Sequence, residues 1–309
     1  MLNRRQVRKK VFQQLYAFHQ SEEGDRALFD KKLQQSFKDF YQLFLFQIDT
    51  ILKVKEACAD LKEIEEKKFS PSKRKLDELN FITDNSILKA LEENVHLLEK
   101  RKGMHYNVNL DNVELLKQLT NALVSRVGDV DDLTTLSAKE QKQIIFDFFD
   151  VSMANNEDVH QTYLENNLNW VDDVPLANTM TLKYLKSIKE SQDEYFALPK
   201  EINDKDILTF GRQLFIKTVN RSEGLDGMIE NEVTNWDIDR IALVDKLIMK
   251  MAITEFYDFT EIPLRVSINE YIELCKDYSS PKSKVFVNGV LDKIQRKLVD
   301  SKEINKPLA

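Results

Sequence analysis

The sequence predicts an all-α fold, and three observations support this prediction. The 309 residues include only 7 glycines and 6 prolines, the residues that most often interrupt helices. Apolar side chains recur at spacings of three and four, and no neighbouring segments alternate with the period of two that is typical of strands. The length suffices for one large or two ordinary domains with hydrophobic cores of their own.

Charge and hydropathy exclude several classes of protein. The net charge is −7, so any nucleic-acid site must be a local basic patch on an acidic chain. No apolar run approaches the roughly 18 residues that span a bilayer, and no long apolar segment follows the basic N-terminus as in a secretory signal. Cys58 and Cys275 are far apart in the sequence, which suits a reducing compartment. We therefore expect a cytoplasmic protein without a membrane partner.

The N-terminal half of the chain predicts a series of helices. Residues 3–20 form the first, with a buried stripe of Val7, Val11, Leu15 and Phe18. Its second face carries Arg5, Lys9, Phe12 and Tyr16. A long aromatic-rich helix is expected at 28–65, followed by a basic turn at 67–75. Further helical patterns occupy 75–101 and 110–126, and another helix begins near Ser137, where Ser137 and Glu140 match a capping box.

The C-terminal part predicts five helices after a linker at 198–205. The first four are expected at about 206–220, 224–233, 237–257 and 264–277. Ser280 as N-cap and Pro281 at the first helical position open the fifth. Residues 301–309 are predicted to be a frayed tail.

Two pairs of residues in the C-terminal part are unusual for helices. Asn269 and Glu270 lie near the start of one predicted helix, and Asn288 and Gly289 lie inside the next. Glycine costs about 1 kcal/mol relative to alanine in a helix interior, so another requirement must place it there. We predict that Gly289 allows a close approach between helices and that Asn269 and Glu270 bond to neighbouring loop backbone.

Two separated stretches resemble the NusB family of bacterial transcription antitermination factors. One contains Arg4-Arg5-Gln6-Val7-Arg8 and Gln14-Leu15-Tyr16. The other extends from about Phe210 to Ile294 and includes Trp236, Asp239-Arg240-Ile241-Ala242, Ile262-Pro263, Val266-Ser-Ile-Asn-Glu270 and Phe286-Val-Asn-Gly-Val-Leu-Asp292. The resemblance implies a pair of small helical bundles. It also implies binding of boxA-type single-stranded RNA together with the ribosomal protein NusE, within the transcription elongation complex of ribosomal RNA operons.

The resemblance divides the chain into parts. Residues 1–20 and 205–300 form the NusB-like domain, whereas 21–204 replace what is only a short link in ordinary members of the family. That region is either an inserted helical domain or a degenerate repeat of the same unit. An Asn-Trp pair followed by acids occurs around both Trp170 and Trp236, which favours the repeat modestly, although chance similarity explains it as well.

The candidate RNA-binding residues combine cations with aromatic rings, the side chains that bind phosphates and stack on bases. They are Arg4, Arg5, Arg8, Lys9, Tyr16, Lys282, Lys284 and Phe286. Lys282 occupies a position that is often acidic in the family, so the RNA preference is expected to differ. The alternative for the N-terminal cations is a solvated helix start without a ligand.

Asp245 matches an acidic position on the family's NusE-binding surface, and the alternative is an ordinary exposed acid near Lys250. RNA binding has an alternative too. Because the chain is acidic overall, it could instead be a helical protein–protein scaffold with weak or no RNA binding.

No pattern predicts catalysis, a metal site or a cofactor. The four histidines, His19, His96, His105 and His160, lack metal-ligand spacing, and there is no glycine-rich phosphate loop or nucleophile elbow. A NusB-like domain also occurs fused to RNA cytosine methyltransferases, but neither cysteine here follows a proline as such an enzyme would require. We expect a protein that is not an enzyme.

Overall fold

The computed structural model describes residues 3–22, 24–103, 113–189, 197–199, 205–233, 241–304 and 306. Over these ranges the chain is helical and contains no strand, which confirms the all-α prediction. The helices are α1 (Arg4–Gln20), α2 (Arg26–Glu66), α3 (Lys73–Asp84), α4 (Ser86–Glu93), α5 (Val95–Gly103), α6 (Val113–Gly128), α7 (Ala138–Asp147), α8 (Glu157–Asn166), α9 (Val174–Ser187), α10 (Lys205–Asn220), α11 (Ser222–Glu232), α12 (Leu243–Asp258), α13 (Leu264–Tyr278) and α14 (Pro281–Asp300). None of these helices is both long and apolar enough to traverse a bilayer.

The chain forms two compact units. The central unit comprises Lys38–Glu201, and the terminal unit comprises Leu2–Phe37 with Ile202–Ala309. Residues 26–37, the first part of α2, thus pack with the terminal unit, whereas the sequence placed only 1–20 there. The boundary falls inside a continuous helix, so no change in composition marks it.

Asparagines divide the predicted helix at 75–101 into α3, α4 and α5. The Asn85 side chain accepts a hydrogen bond from the Ile87 N–H at 3.0 Å, and the Asn94 side chain accepts one from the Leu97 N–H at 2.8 Å. Such side chains compete for backbone groups and so begin a new helix. The capping box predicted at Ser137 is present, with Ser137 and Glu140 each bonded to the other's backbone N–H.

The core of the central unit is centred on Trp170, which is 1 % exposed. Its indole Nε1 donates to the Asp39 carbonyl at 2.8 Å, and its ring meets Phe46 and Tyr163 edge to face. A short π-helix, Phe148–Ala154, follows α7 and was not predicted from the sequence. Trp236, the other half of the proposed repeat, lies outside the described residues, so the duplication stays a prediction.

The tail of the terminal unit packs onto the bundle instead of fraying. Ile304 and Lys306 are buried, and the Lys306 Nζ donates to the Glu255 carbonyl at 2.5 Å. Burial lowers the pKa of Lys306 to about 8. The frayed tail predicted for 301–309 is therefore wrong at Ile304 and Lys306, because contacts with residues distant in the chain bury these two side chains, whereas 301–303 are exposed.

The close approach between helices that the sequence predicted at Gly289 occurs instead at Gly211. A Cβ on Gly211 in α10 would lie 2.6 Å from Val7 Cγ1 and 2.8 Å from Phe37 Cζ, so this glycine permits the close approach. A Cβ on Gly289 would meet nothing within 4 Å. The prediction that Gly289 serves helix packing is wrong, because it lies on an exposed face of α14.

Candidate nucleic-acid interface

Arg8, predicted to bind RNA, lies inside the terminal unit. Its Nε and one terminal nitrogen donate to the two carboxylate oxygens of Glu255 at 2.8 and 2.7 Å, and its side chain is 4 % exposed. Glu255 also accepts hydrogen bonds from the hydroxyls of Ser267 at 2.6 Å and Tyr271 at 2.9 Å. This burial leaves no surface for a phosphate, so we correct the role of Arg8 to a structural one.

The other basic side chains of α1 reach acids in the C-terminal part of the same unit. Arg5 donates two hydrogen bonds to the Glu270 carboxylate at 2.9 and 2.7 Å, which lowers the pKa of Glu270. Glu270 is thus structural, as expected, although its partner is Arg5 and not loop backbone. The remaining pairs are Arg4 with Glu261 at 3.2 Å and Lys9 with Asp277 at 2.6 Å.

These three ion pairs are partly exposed, in contrast to that of Arg8. Side-chain exposure is 42 % for Arg4, 49 % for Arg5 and 27 % for Lys9. Exposed ion pairs contribute only about 0–1 kcal/mol, so a phosphate can compete for these cations. Their pairing nevertheless reduces the positive potential that the sequence suggested for α1.

An aromatic cluster connects α1 with the end of α13. Tyr16 is 39 % exposed, and its ring centroid lies 6.4 Å from that of Phe12. Phe12 is 3 % exposed and packs on Tyr278, at 4.7 Å between centroids. Of the two rings on the second face of α1, Phe12 is therefore buried, and Tyr16 is the one that offers ring surface to a base. Tyr278 immediately precedes the turn into α14, so the chain passes directly from this aromatic cluster to the second predicted part of the site.

The N-terminus of α14 presents cations that are not neutralised. Lys282 is exposed and Lys284 half-buried, and within the described ranges neither forms an ion pair. Phe286 is half-buried and follows them on the same helix. Because the first turn of a helix also carries free N–H groups and partial positive charge, these features suit an anion.

Asp245 belongs to a cavity beside these residues. The cavity has a volume of about 490 Å³, and its lining includes Asp245, Lys282 and Phe286. The Asp245 carboxylate is 4 % exposed and accepts a hydrogen bond from the Ser279 hydroxyl at 2.6 Å. It is not the exposed neighbour of Lys250 that the alternative required, since Lys250 pairs with Asp226 at 2.7 Å.

The geometry therefore separates the predicted residues into two groups. Arg8 is an internal ion-pair partner, whereas the others define a surface that we call the α1–α14 surface. Its members are Arg4, Arg5, Lys9, Tyr16, Lys282, Lys284 and Phe286. Sequence reasoning could not separate the groups, because the acids that engage the arginines lie about 250 positions away in the chain.

The α1–α14 surface combines exposed cations with the partly exposed ring of Tyr16. Over the described ranges, no group of three or more histidine, cysteine, aspartate or glutamate side chains could hold a metal ion. The fold and the surface together define an all-helical protein whose exposed cations and tyrosine ring suit single-stranded nucleic acid.

Comparison with known proteins identifies the family. The sequence model of the NusB family matches residues 173–296. The transcription antitermination protein NusB of Salinibacter ruber is 40 % identical over 119 residues, which are 38 % of this chain and 74 % of that protein. The NusB proteins of Clostridium botulinum and Koribacter versatilis are 41 % and 37 % identical, over 76 % and 77 % of their lengths. The chain belongs to the NusB family.

Proposed function

We propose that this chain is an RNA-binding transcription antitermination factor that is not an enzyme. In this proposal the α1–α14 surface binds boxA-type single-stranded RNA, the ribosomal protein NusE binds beside Asp245, and both act in the elongation complex on ribosomal RNA operons in the cytoplasm. Family membership supports the role, since the related proteins are named transcription antitermination proteins.

The main support for RNA binding is that Lys282 and Lys284 have no acidic partner among the described residues. In a chain of net charge −7, these two lysines remain without acidic partners among the described residues and lie beside a helix N-terminus. Phe286 lies one turn further along and contributes ring surface to the same cavity. Cations beside an aromatic ring are the usual means of holding a single strand.

A salt titration of RNA affinity tests this proposal. If about four phosphates are contacted, log K falls against log salt with a slope near −3 for a single strand. We expect Lys282→Ala with Lys284→Ala to reduce the magnitude of that slope by about 1.4, because each lost phosphate contact removes about 0.7. Fluorescence anisotropy with a labelled boxA-type RNA measures the slope.

Lys293→Ala is the matched control, since Lys293 is exposed on the same helix and has no ion-pair partner in the described part of the chain. Its slope should equal that of the unmodified protein. A scrambled RNA of the same length separates sequence preference from general affinity for polyanions. Equal slopes for the control and the double variant would contradict the proposed role of the α14 N-terminus.

A protein–protein scaffold with weak or no RNA binding is the second candidate. The observation that favours it is the pairing of Arg4, Arg5 and Lys9 with acids, which leaves less free positive charge on α1. Under this alternative, NusE is retained in a pull-down, yet no RNA binds at low salt with or without it. RNA binding that NusE strengthens would instead support the first function.

A further inference from the structure

The loop between α2 and α3 in the central unit exposes an aromatic ring within a basic segment. Residues 67–75 contain five cations and no acid, with the sequence Lys-Lys-Phe-Ser-Pro-Ser-Lys-Arg-Lys. Phe69 has a relative exposure of 107 %, so both faces of its ring are open to solvent. An aromatic side chain in water forgoes the stabilisation that burial would contribute, and packing within the loop therefore gives no reason for this phenylalanine.

The loop is held closed at its base by Glu65, which is buried at the end of α2. One carboxylate oxygen accepts a hydrogen bond from Lys68 Nζ at 2.7 Å, and the other accepts one from the Ser72 N–H at 3.0 Å. Lys75 Nζ lies 3.6 Å from the same carboxylate. The hydrogen bonds from Lys68 and Ser72 lower the pKa of Glu65 to about 2, so it remains ionised at neutral pH. Both ends of the loop are thus anchored on one charge.

Because its base is anchored, the loop presents Phe69 in a defined position. A ligand that stacks on this ring would lose little free energy in ordering the loop, which is the advantage of a preorganised site. The anchored base is independent of the exposure of the Phe69 ring, and it favours a binding role for this loop.

Two lysines beside Phe69 are available to bind phosphates, whereas Lys68 holds Glu65 at the base of the loop. Lys67 is 76 % exposed and pairs only with Glu63 at 3.3 Å, whose side chain is 69 % exposed. Lys73 is exposed and has no ion-pair partner among the described residues.

Arg74 is different, because it serves the fold. Its Nε donates to Glu78 at 2.8 Å, and its terminal nitrogens donate to the carbonyls of Gly128 and Asp131, each at 3.0 Å. Arg74, like Lys68, is therefore not among the ligand-binding residues, which are Lys67 and Lys73.

We propose that this loop, residues 67–73, is a second contact site for single-stranded RNA, separate from the α1–α14 surface. A base stacks on Phe69, and Lys67 and Lys73 bind the flanking phosphates. A single ring with two free faces suits base stacking, whereas protein docking or membrane insertion uses a contiguous apolar area. The absence of acids from 67–75, in an acidic chain, makes the loop complementary to a polyanion.

The test uses the full chain and an oligouridine of about 12 nucleotides, within the range of site sizes known for single-strand binding. Anisotropy at low salt should show that Phe69→Ala lowers affinity by about 5- to 10-fold, while Phe69→Trp preserves it. The double change of Lys67 and Lys73 to Ala, which leaves the Lys68–Glu65 anchor intact, should reduce the magnitude of the salt slope by about 1.4. In the Phe69→Trp variant, addition of the oligouridine should quench the new exposed indole.

The control replaces Lys117 and Lys139, two exposed lysines of the same unit without ion-pair partners in the described ranges, by Ala. Its affinity should equal that of the unmodified chain. Since Phe69 contacts solvent, its variants should keep the far-UV circular dichroism and unfolding midpoint of the parent.

The outcomes separate this inference from the function proposed above. If the loop variants bind oligouridine as the parent does, the inference is overturned, whatever Lys282 and Lys284 contribute to boxA-type RNA. If the loop variants lose affinity while Lys282→Ala with Lys284→Ala changes nothing, the inference stands and the proposed α14 contact fails. Binding of phosphatidylserine vesicles that depends on Phe69, without binding of oligouridine, would overturn it in favour of a membrane contact.

Discussion

Replacing Arg8 by Met is expected to destabilise the terminal unit by about 3–5 kcal/mol. The change leaves the Glu255 carboxylate, which is 0 % exposed, without the guanidinium that balances its negative charge. The hydroxyls of Ser267 and Tyr271 still donate to it, but they carry no positive charge. A buried carboxylate without a cation is much less stable than one in a bidentate pair, so a large loss is expected. Urea denaturation followed by circular dichroism measures the effect.

Arg4→Met on the same helix is the matched control for Arg8→Met. Arg4 pairs with Glu261 at the surface, with side-chain exposures of 42 % and 53 %, so its loss should cost less than about 1 kcal/mol. Combining Arg8→Met with Glu255→Leu should recover much of the stability, because the Glu255 carboxylate is then no longer buried without its cation. A loss for Arg8→Met no larger than that for Arg4→Met would show that Arg8 is not buried in solution and would return it to the RNA-binding candidates.

Gly211→Ala is expected to destabilise the same unit by about 1–3 kcal/mol, despite the higher helix propensity of alanine. The added Cβ would lie 2.6 Å from Val7 Cγ1 and 2.8 Å from Phe37 Cζ. Both neighbours are buried, with exposures of 0 % and 2 %, so neither can move away without displacing others. The urea midpoint and its slope should show a loss of stability without a change in cooperativity.

Gly289→Ala should have the opposite sign and raise stability by up to about 1 kcal/mol. Nothing lies within 4 Å of the added Cβ, and alanine is the better helix former. If Gly211→Ala raises stability as Gly289→Ala does, the close approach of α10 to Val7 and Phe37 is not present in solution. The Val7→Ala change combined with Gly211→Ala should show coupling between the two positions, because they share one contact.

Local features of the sequence predicted much of the fold. The Ser280-Pro281 start of α14 and the Ser137 capping box appear where expected, since caps and proline positions depend on only a few adjacent residues. The spacing of apolar residues also located α1, α2 and α13 within about two residues. The predicted helix at 75–101 did not include the interruptions at Asn85 and Asn94. Asparagine is a common helix-capping residue, so its presence at these two positions could have indicated them.

The candidate site was less predictable than the helices. Arg4, Arg5 and Arg8 are alike in sequence, yet only Arg8 is buried, because only Arg8 faces Glu255 on α12. Likewise, the sequence did not indicate that Asp245 is buried, because its partner Ser279 lies 34 positions away in the chain. Each of these distinctions depends on a partner that is distant in the chain.

The sequence alone determined that this protein is helical and that its C-terminal third belongs with NusB proteins, and it named the cations and aromatic residues that are candidates for binding RNA. These properties depend on propensity, periodicity and local motif, which a single chain records directly. The tertiary structure decided which cations are buried inside the bundle, which glycine permits the close approach of helices, and that Ile304 and Lys306 are buried. Those outcomes depend on burial and on pairs separated by as many as 265 positions, which no local pattern contains.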